Sequence, residues 1–360
     1  MDVAFIDTPE ELHAWQSGRT PALLAMDTEF VRERTYFAQL GLVQVAAGDA
    51  IALVDPLPDG SADALARLLE RSPAIVMHSA SEDLEALLVA CRQLPRKLFD
   101  TQIAASLAGM GAGLSLQKLI EATVGVVLSK SETRTDWLRR PLSPAQLAYA
   151  ADDVRHLVAA AEVIIERLQV LGRMEWVEQD CARLLNAAQS ETVNPYPHLA
   201  FRPAQRLPAA AQIRVCRLLS WRDAEARRAN KPRGWILDNS LVVRLADRPP
   251  TTRDGLDQLL DSTPGAPRKQ REALWDELSR PASADEHNMP LAADPGSADR
   301  AMLKRMQESV AALAITLELP EGVLAARRHL ESLVVDQVWP AALEGWRRPL
   351  LEPAIGFAIR

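Results

Sequence analysis

The 360-residue chain is 48% hydrophobic and 25% charged, a globular composition at a length that favours two or three domains over a single core. No stretch approaches the roughly eighteen uncharged apolar residues of a membrane span, and the N-terminal MDVAFIDTPEELHAW has no basic region ahead of an apolar one, so neither a span nor a signal peptide is expected and the default compartment is the cytoplasm. The formal net charge of −7 argues against a uniformly basic nucleic-acid binder, yet residues 201–235 hold nine Arg or Lys against two acids. That local +7 leaves −14 elsewhere, so one segment is suited to a polyanion and the remainder is not.

In chain order, PALLAMDTEF (21–30), YFAQLGLVQVA (36–46), AIALVD (50–55) and AIVMHS (74–79) read as strands. The first three lie too close together for helical crossovers and predict an antiparallel meander. SADALARLLERS (61–72) suits a crossover helix returning to a parallel strand at 74–77, which makes the sheet mixed. Ser79 and Glu82 spell a capping box that opens a helix through about Arg92, and LSLQKLIEATVG (114–125) is a further helix stopped by Gly125. A third helix starts with Ser143 as cap, Pro144 in the first turn and Gln146 completing the box, and its pattern runs to about Val170. The expected fold is therefore a mixed sheet flanked by helices over residues 1–190.

The character then changes. ETVNPYPHLAFRP brings three prolines into a short span, so 191–206 reads as a linker. Residues 207–280 give four or five short helices, 281–299 form a second proline- and acid-bearing connector, and 300–360 are helical again. Two small all-α domains are thus expected after the α/β domain, sharing only loose patterning with each other. The three cysteines, Cys91, Cys181 and Cys216, fit no paired metal-ligand spacing and are expected to be buried, reduced thiols.

The chemistry lies in a few acids. Asp27 and Glu29 stand two apart at a strand end, so a period of two sends both carboxylates to one face, where like charges resist burial unless a cation sits between them. Asp83 falls in the first turn of the helix after a strand, where sites collect in open α/β sheets and where an acid also favours the helix dipole. In LAYAADDVRHL (147–157), Tyr149 shares a helix face with Asp153 at four residues and lies three from Asp152; spacing alone does not choose between the two acids. Four carboxylates and a phenol are the needs of a phosphodiester hydrolase that clamps two hard cations. His78 and His156 are expected to support or solvate rather than ligate such ions. Trp221, Trp235 and Trp346 sit in helical patterns and read as core.

DTEF, HSASEDLE and TRTDWLRRPLSPAQLAYAADDVRHL resemble, in order and spacing, the three exonuclease motifs of the DEDD superfamily in its tyrosine-bearing branch, and the likeness to the ribonuclease D family extends over most of the chain. The resemblance implies a ribonuclease H-like sheet, selects Asp153 over Asp152, and makes Asp27, Glu29, Asp83 and Asp153 ligands of two Mg²⁺ or Mn²⁺ ions with Tyr149 near the attacking water. It implies hydrolysis of RNA from a free 3′ hydroxyl to nucleoside 5′-monophosphates, with precursor tRNA among the substrates. DW-x-x-RPL, Asp136 to Leu142, resembles the segment ahead of the third motif, without an assigned role. RVCRLLSWRDAEARRANKPRGWILDNSLVVRLADRPPTT resembles the helicase-and-RNase-D C-terminal (HRDC) domain, which points to Arg214, Arg217, Arg222, Arg227, Arg228, Lys231 and Arg233 as nucleic-acid contacts. ARRHLESLV and WPAALEGWRRPLL resemble a second, more divergent copy. The rival readings are a DNA-directed 3′–5′ exonuclease and a non-catalytic nucleic-acid-binding protein on the same fold. The intact acid set speaks against the latter, and the basic helical segments speak against a small-molecule phosphatase.

Overall fold

A computed structural model of the chain describes residues 2–19, 21–128, 135–190, 194–292 and 299–358. It forms two compact units, one of Met1–Val31, Ala38–Glu191 and Ala301–Arg360, the other of Arg32–Phe37 and Thr192–Arg300.

The first unit begins with β1 (Asp2–Ile6), α1 (Pro9–Gln16), β2 (Leu24–Val31), β3 (Gln39–Ala47), β4 (Ala50–Val54), α2 (Ser61–Arg71), β5 (Ile75–Met77), α3 (Ser81–Cys91), β6 (Leu98–Asp100), α4 (Thr101–Leu107), α5 (Leu116–Val124), α6 (Pro144–Arg155), α7 (Leu157–Val170) and α8 (Met174–Gln189). Six strands make one sheet in the order β1-β4-β3-β2-β5-β6. The meander β2-β3-β4 is antiparallel, whereas β1 on β4, β5 on β2 and β6 on β5 run parallel. β3 is buried from Leu40 to Ala46 because helices cover the central strands on both faces, and its sequence is accordingly an apolar run with one polar residue, Gln44.

Two helix starts show how local chemistry fixes the site. α6 begins as its sequence spells it, with the Ser143 side chain accepting from the Gln146 amide and the Gln146 side chain accepting from Ser143 N–H. The capping box expected at Ser79 and Glu82 does not form. Ser79 adopts φ +60°, Ala80 is the N-cap, and neither side chain caps the helix. Asp100, only 1% exposed at the end of β6, does that work: its carboxylate accepts the N–H groups of Ser79 (3.2 Å), Ala80 (2.8 Å), Gln102 (2.8 Å) and Ile103 (3.2 Å). One buried carboxylate therefore starts both α3, which carries Asp83, and α4. Asp100→Ala strands these donors and is expected to cost about 3 kcal/mol or more, read as a loss of unfolding free energy in urea.

The helix expected to run to Val170 instead breaks at His156 (φ −111°, ψ 1°), which ends α6 and begins α7. β1 and β6 were not among the expected strands; β6 has three residues, too few to display a period.

The second unit holds α9 (Ala209–Ala229), α10 (Arg233–Ile236), α11 (Asn239–Asp247), α12 (Arg253–Ser262), α13 (Arg271–Ser279) and α14 (Ala284–His287). Leu218, Leu241, Leu245, Leu256, Leu260 and Leu274 form its core. It also includes Arg32–Phe37, so the strand expected from Tyr36 starts only at Gln39. Tyr36 is 4% exposed, donates its hydroxyl to Asp223 (2.9 Å) and accepts from Arg233 (2.7 Å). Asn230, in the left-handed cap of α9, accepts from the amides of Tyr36 and Phe37. Trp221 packs at the edge of this core, but Trp235 is 60% exposed on four-residue α10 and is not a core residue.

The final segment contributes α15 (Arg300–Thr316), α16 (Glu321–Leu324), α17 (Arg327–Asp336) and α18 (Arg348–Ile355) to the first unit. Leu303, Met306, Val310, Leu330, Leu333 and Leu351 belong to the same core as the sheet, so this segment, read from the sequence as a separate domain, is integrated with the α/β fold. Trp346 stacks on Trp176 of α8 with ring centroids 4.3 Å apart and an 8° interplanar angle. Its indole donates to Asp180 (3.0 Å), whose carboxylate also takes a bidentate pair of 2.8 Å bonds from Arg347. Gly345 is required beside it: φ is +69°, and a Cβ would meet the Gln179 Oε1 at 2.6 Å.

Candidate active site

β2 supplies the first pair of acids. Asp27 and Glu29 face the same side and pair in register with Gln44 and Leu42 of β3, just before a register shift between Glu29 and Phe30. Asp83 enters from the first turn of α3, 8% exposed, and accepts a 2.5 Å hydrogen bond from the Thr28 hydroxyl. Asp153 comes from α6, 7% exposed, with the Tyr149 hydroxyl one turn earlier beside it. The alternative acid, Asp152, turns outward to an ion pair with Arg155 at 2.9 Å. α6 is thus divided by face, one carboxylate inward and one outward.

The electrostatics tie the four together. Burial first, then the charges of Asp83, Asp153 and Glu29, hold the Asp27 carboxyl well above the usual carboxylate range. Glu29 is pushed up to about 8 by burial and by Asp153 and Asp83. Burial raises Asp83 to about 6 and Asp153 to about 7, each against the opposing hydrogen bond from its hydroxyl partner. The Tyr149 phenol is pushed upward by burial and by Asp153, Glu29 and Asp27, so it stays protonated at neutral pH. No arginine or lysine is among the leading influences on any of these groups.

Hard divalent cations suit this donor set, since they prefer carboxylate oxygen and would remove the mutual repulsion. The Gln44 amide adds a polar element: it is fully buried opposite Asp27, and neither its oxygen nor its nitrogen has a hydrogen-bond partner. Among the described residues, no three His, Cys, Asp or Glu side chains converge closely enough to form a closed cluster for an ion. Asp83 is turned onto the Thr28 hydroxyl, and Asp153 lies beside that of Tyr149. The residues therefore fit a metal site in chemistry and electrostatics.

The surroundings are firm. Arg140, in the Asp136–Leu142 segment that had no assigned role, forms a bidentate pair with Asp55 (2.5 and 2.7 Å) and also donates to the carbonyls of Gly41 (2.6 Å) and Trp137 (2.8 Å). Trp137, 3% exposed, lies against Gly41, where a Cβ would be 2.8 Å from the Trp137 carbonyl oxygen; its ring is 6.2 Å from that of Tyr149. His78 is no ligand. Burial lowers its pKa, Nε2 contacts the Leu114 carbonyl at 3.0 Å, and Nδ1 contacts the Thr101 hydroxyl at 2.9 Å. Cys91 and Cys181 are buried thiols pushed up to about 12 by burial, and Cys216 is half-buried.

Of the basic residues expected to meet nucleic acid, Arg217 is withdrawn from that role. Its side chain is 4% exposed, pairs with Glu286 at 2.6 Å and donates to the carbonyls of Glu277, Arg280 and Pro281. Arg214 donates to the Ala246 carbonyl, and Arg222 to the Leu237 carbonyl and Asn239. Arg227 and Arg233 flank the Tyr36 ring and pair with Asp223. Arg228 is exposed beside Glu225, and Lys231 is exposed. Charge counting along the sequence could not see that most of these guanidiniums serve their own fold. Thr28, Gln44, Asp55 and Asp100 were missed because each looks ordinary alone; a single amide inside LGLVQVAA was the one visible signal.

Comparison with known proteins agrees with the geometry. A family described as 3′-5′ exonuclease matches residues 3–169, and the HRDC domain family matches 214–278. A ribonuclease D of Xanthomonas oryzae pv. oryzae is 49% identical over 352 residues, spanning 98% of this chain and 97% of that protein. A ribonuclease D of Shewanella sp. is 33% identical over 90% of this chain and 86% of its own. The crystal structure of Escherichia coli RNase D, described as an exoribonuclease involved in structured RNA processing, superimposes with a TM-score of 0.86 at 28% identity, covering 99% of this chain and 98% of that one.

Proposed function

This chain belongs to the ribonuclease D family, and on that premise we propose that Asp27, Glu29, Asp83 and Asp153 hold two divalent cations, Mg²⁺ or Mn²⁺, while Tyr149 orients the water that attacks the terminal phosphodiester. The activity itself, 3′–5′ exoribonuclease hydrolysis of RNA, follows from the family and its exonuclease domain. The observation that carries the site assignment is electrostatic: four largely buried carboxylates, with Asp27 and Glu29 feeling the charges of Asp83 and Asp153, are each held above the usual carboxylate range, with no basic side chain among the leading influences on them. A negatively charged pocket cannot receive a negatively charged substrate until cations neutralise both.

When bound, the cations supply the charge that balances the phosphodiester and the departing 3′ oxygen and that favours ionisation of water. The protein's own groups do the rest. Thr28 holds Asp83 in place by its hydroxyl, and the clamped Asp136–Leu142 segment supports the face of Tyr149. A phenol raised above its ordinary pKa is no ground-state base, so Tyr149 acts by hydrogen bonding. Tyr149→Phe is therefore expected to lower kcat by about 10²-fold while leaving Mn²⁺ affinity within about twofold of wild type, measured by single-turnover kinetics and calorimetry. Structured RNAs with a free 3′ hydroxyl, including tRNA precursors, are the proposed natural substrates, the E. coli protein being an exoribonuclease involved in structured RNA processing.

An end-labelled RNA and a matching DNA, each with free or blocked 3′ ends and each with and without chelator, test the proposal. Stepwise shortening of the free-ended RNA only when metal is present is expected. Equal shortening of the DNA would move the assignment to a DNA-directed exonuclease, and activity undiminished by chelation would remove the metal reading.

Among the described residues no helix is long and apolar enough to cross a membrane.

A further inference from the structure

Within the first unit, α4, α8 and the final segment line an open cleft of about 260 Å³ whose lining includes Asp180, Arg183, Ala326, Arg328, His329 and Arg347, and none of the five candidate catalytic residues. Its charge is one-sided. Asp180, the one acid in that lining, is already occupied: it accepts from Arg347 through both oxygens, from Arg183 and from the Trp346 indole. Arg347 also donates to the Val323 carbonyl and Arg183 to the Ala342 carbonyl, which positions both guanidiniums rigidly. A guanidinium has more N–H donors than these bonds use.

Arg328 and His329 sit in the first turn of ten-residue α17, whose N-cap, Ala326, offers no side-chain acceptor, so the positive end of that helix also opens at the cleft. Burial and then the charges of Arg328, Arg347 and Arg183 hold His329 below its ordinary pKa, so all three guanidiniums are felt at the imidazole. We propose that this cleft is a second, non-catalytic phosphate-binding site, taking one phosphate group either from the RNA strand or from a free nucleoside 5′-monophosphate. A tetrahedral oxyanion meets fixed guanidinium forks and helix N–H groups there, the recurring chemistry of phosphate recognition. The space admits a phosphate with part of its sugar, not an oligonucleotide. The inference uses the exoribonuclease activity only to choose phosphate among anions and is independent of the metal assignment.

The test uses the full chain with inorganic phosphate, AMP, a trinucleotide RNA and an RNA of about twenty nucleotides. Arg328→Glu is the variant, because Arg328 is exposed and its one observed hydrogen bond is to the adjacent His329; Arg328→Gln serves if the charge reversal lowers the melting temperature. Wild type is expected to bind inorganic phosphate with a shift of the His329 imidazole resonance, and the variant to bind it at least about tenfold more weakly. Asp27→Asn is expected to bind it as wild type does. If the strand supplies the phosphate, the variant raises KM for the long RNA and not for the trinucleotide, with kcat unchanged. If free mononucleotide supplies it, AMP affinity falls and both KM values stay put. Equal affinities of variant and wild type for phosphate, AMP and long RNA, or an unmoved His329 resonance, would overturn the proposal.

Discussion

Asp27→Asn is expected to reduce RNA trimming by about 10³-fold or more and, at the same time, to make the metal-free protein more stable at pH 8. The two effects share a cause. Burial first, then the charges of Asp83, Asp153 and Glu29, raise the pKa of Asp27. A group whose pKa is higher folded than unfolded stabilises the fold while protonated and ceases to do so as pH climbs through the folded value. For Asp83, Asp153 and Glu29 those values are about 6, about 7 and about 8. Metal-free wild type should therefore lose stability progressively between about pH 4 and pH 8, and Asp27→Asn should flatten that slope, more stable than wild type at pH 8 and little changed at pH 4. Mn²⁺ should restore wild type most strongly at the alkaline end, because it binds the ionised carboxylates. Thermal melts across this range, with and without Mn²⁺, read both effects. A variant less stable than wild type at pH 8 would mean that the acids do not repel one another as described.

Arg140→Ala is expected to cost about 3–5 kcal/mol of stability, the usual penalty for leaving one member of a buried ion pair without its partner. The Asp55 side chain is 7% exposed and that of Arg140 25%. The same guanidinium fastens the Gly41 and Trp137 carbonyls, so its loss frees the segment that lies behind Tyr149. Turnover should fall along with stability, and urea denaturation with parallel kcat measurements separates the two. Arg140→Lys, which keeps the charge without the fork, should recover only part of the stability. Unchanged stability in Arg140→Ala would show that Asp55 is served by solvent.

The sheet's meander and its parallel return were legible because β2, β3 and β4 are apolar runs separated by short turns, and α2 has the length of a crossover. The start of α6 was legible because a capping box is a local device. Ser79 shows the limit of that rule: its sequence fits a box, but a long-range carboxylate from β6 takes the backbone donors first. Asp152 and Asp153 could not be separated by spacing, since three and four residues share a helix face; packing against the sheet and the outward pair with Arg155 distinguish them. The final segment read as independent because helical periodicity says which face is apolar without saying what covers it. Here the cover is α8, through Trp176, Asp180 and Gln179. Within the basic run of 201–235, the sequence could not show that Arg217 and Arg233 have partners distant in the chain, Glu286 and Tyr36.

Anomalous scattering from crystals grown with Mn²⁺ tests the central claim most directly. Density for manganese within about 2.0–2.4 Å of carboxylate oxygens from Asp27, Glu29, Asp83 and Asp153 is the expected result. Crystals of active enzyme that bind manganese elsewhere, or nowhere, would contradict it.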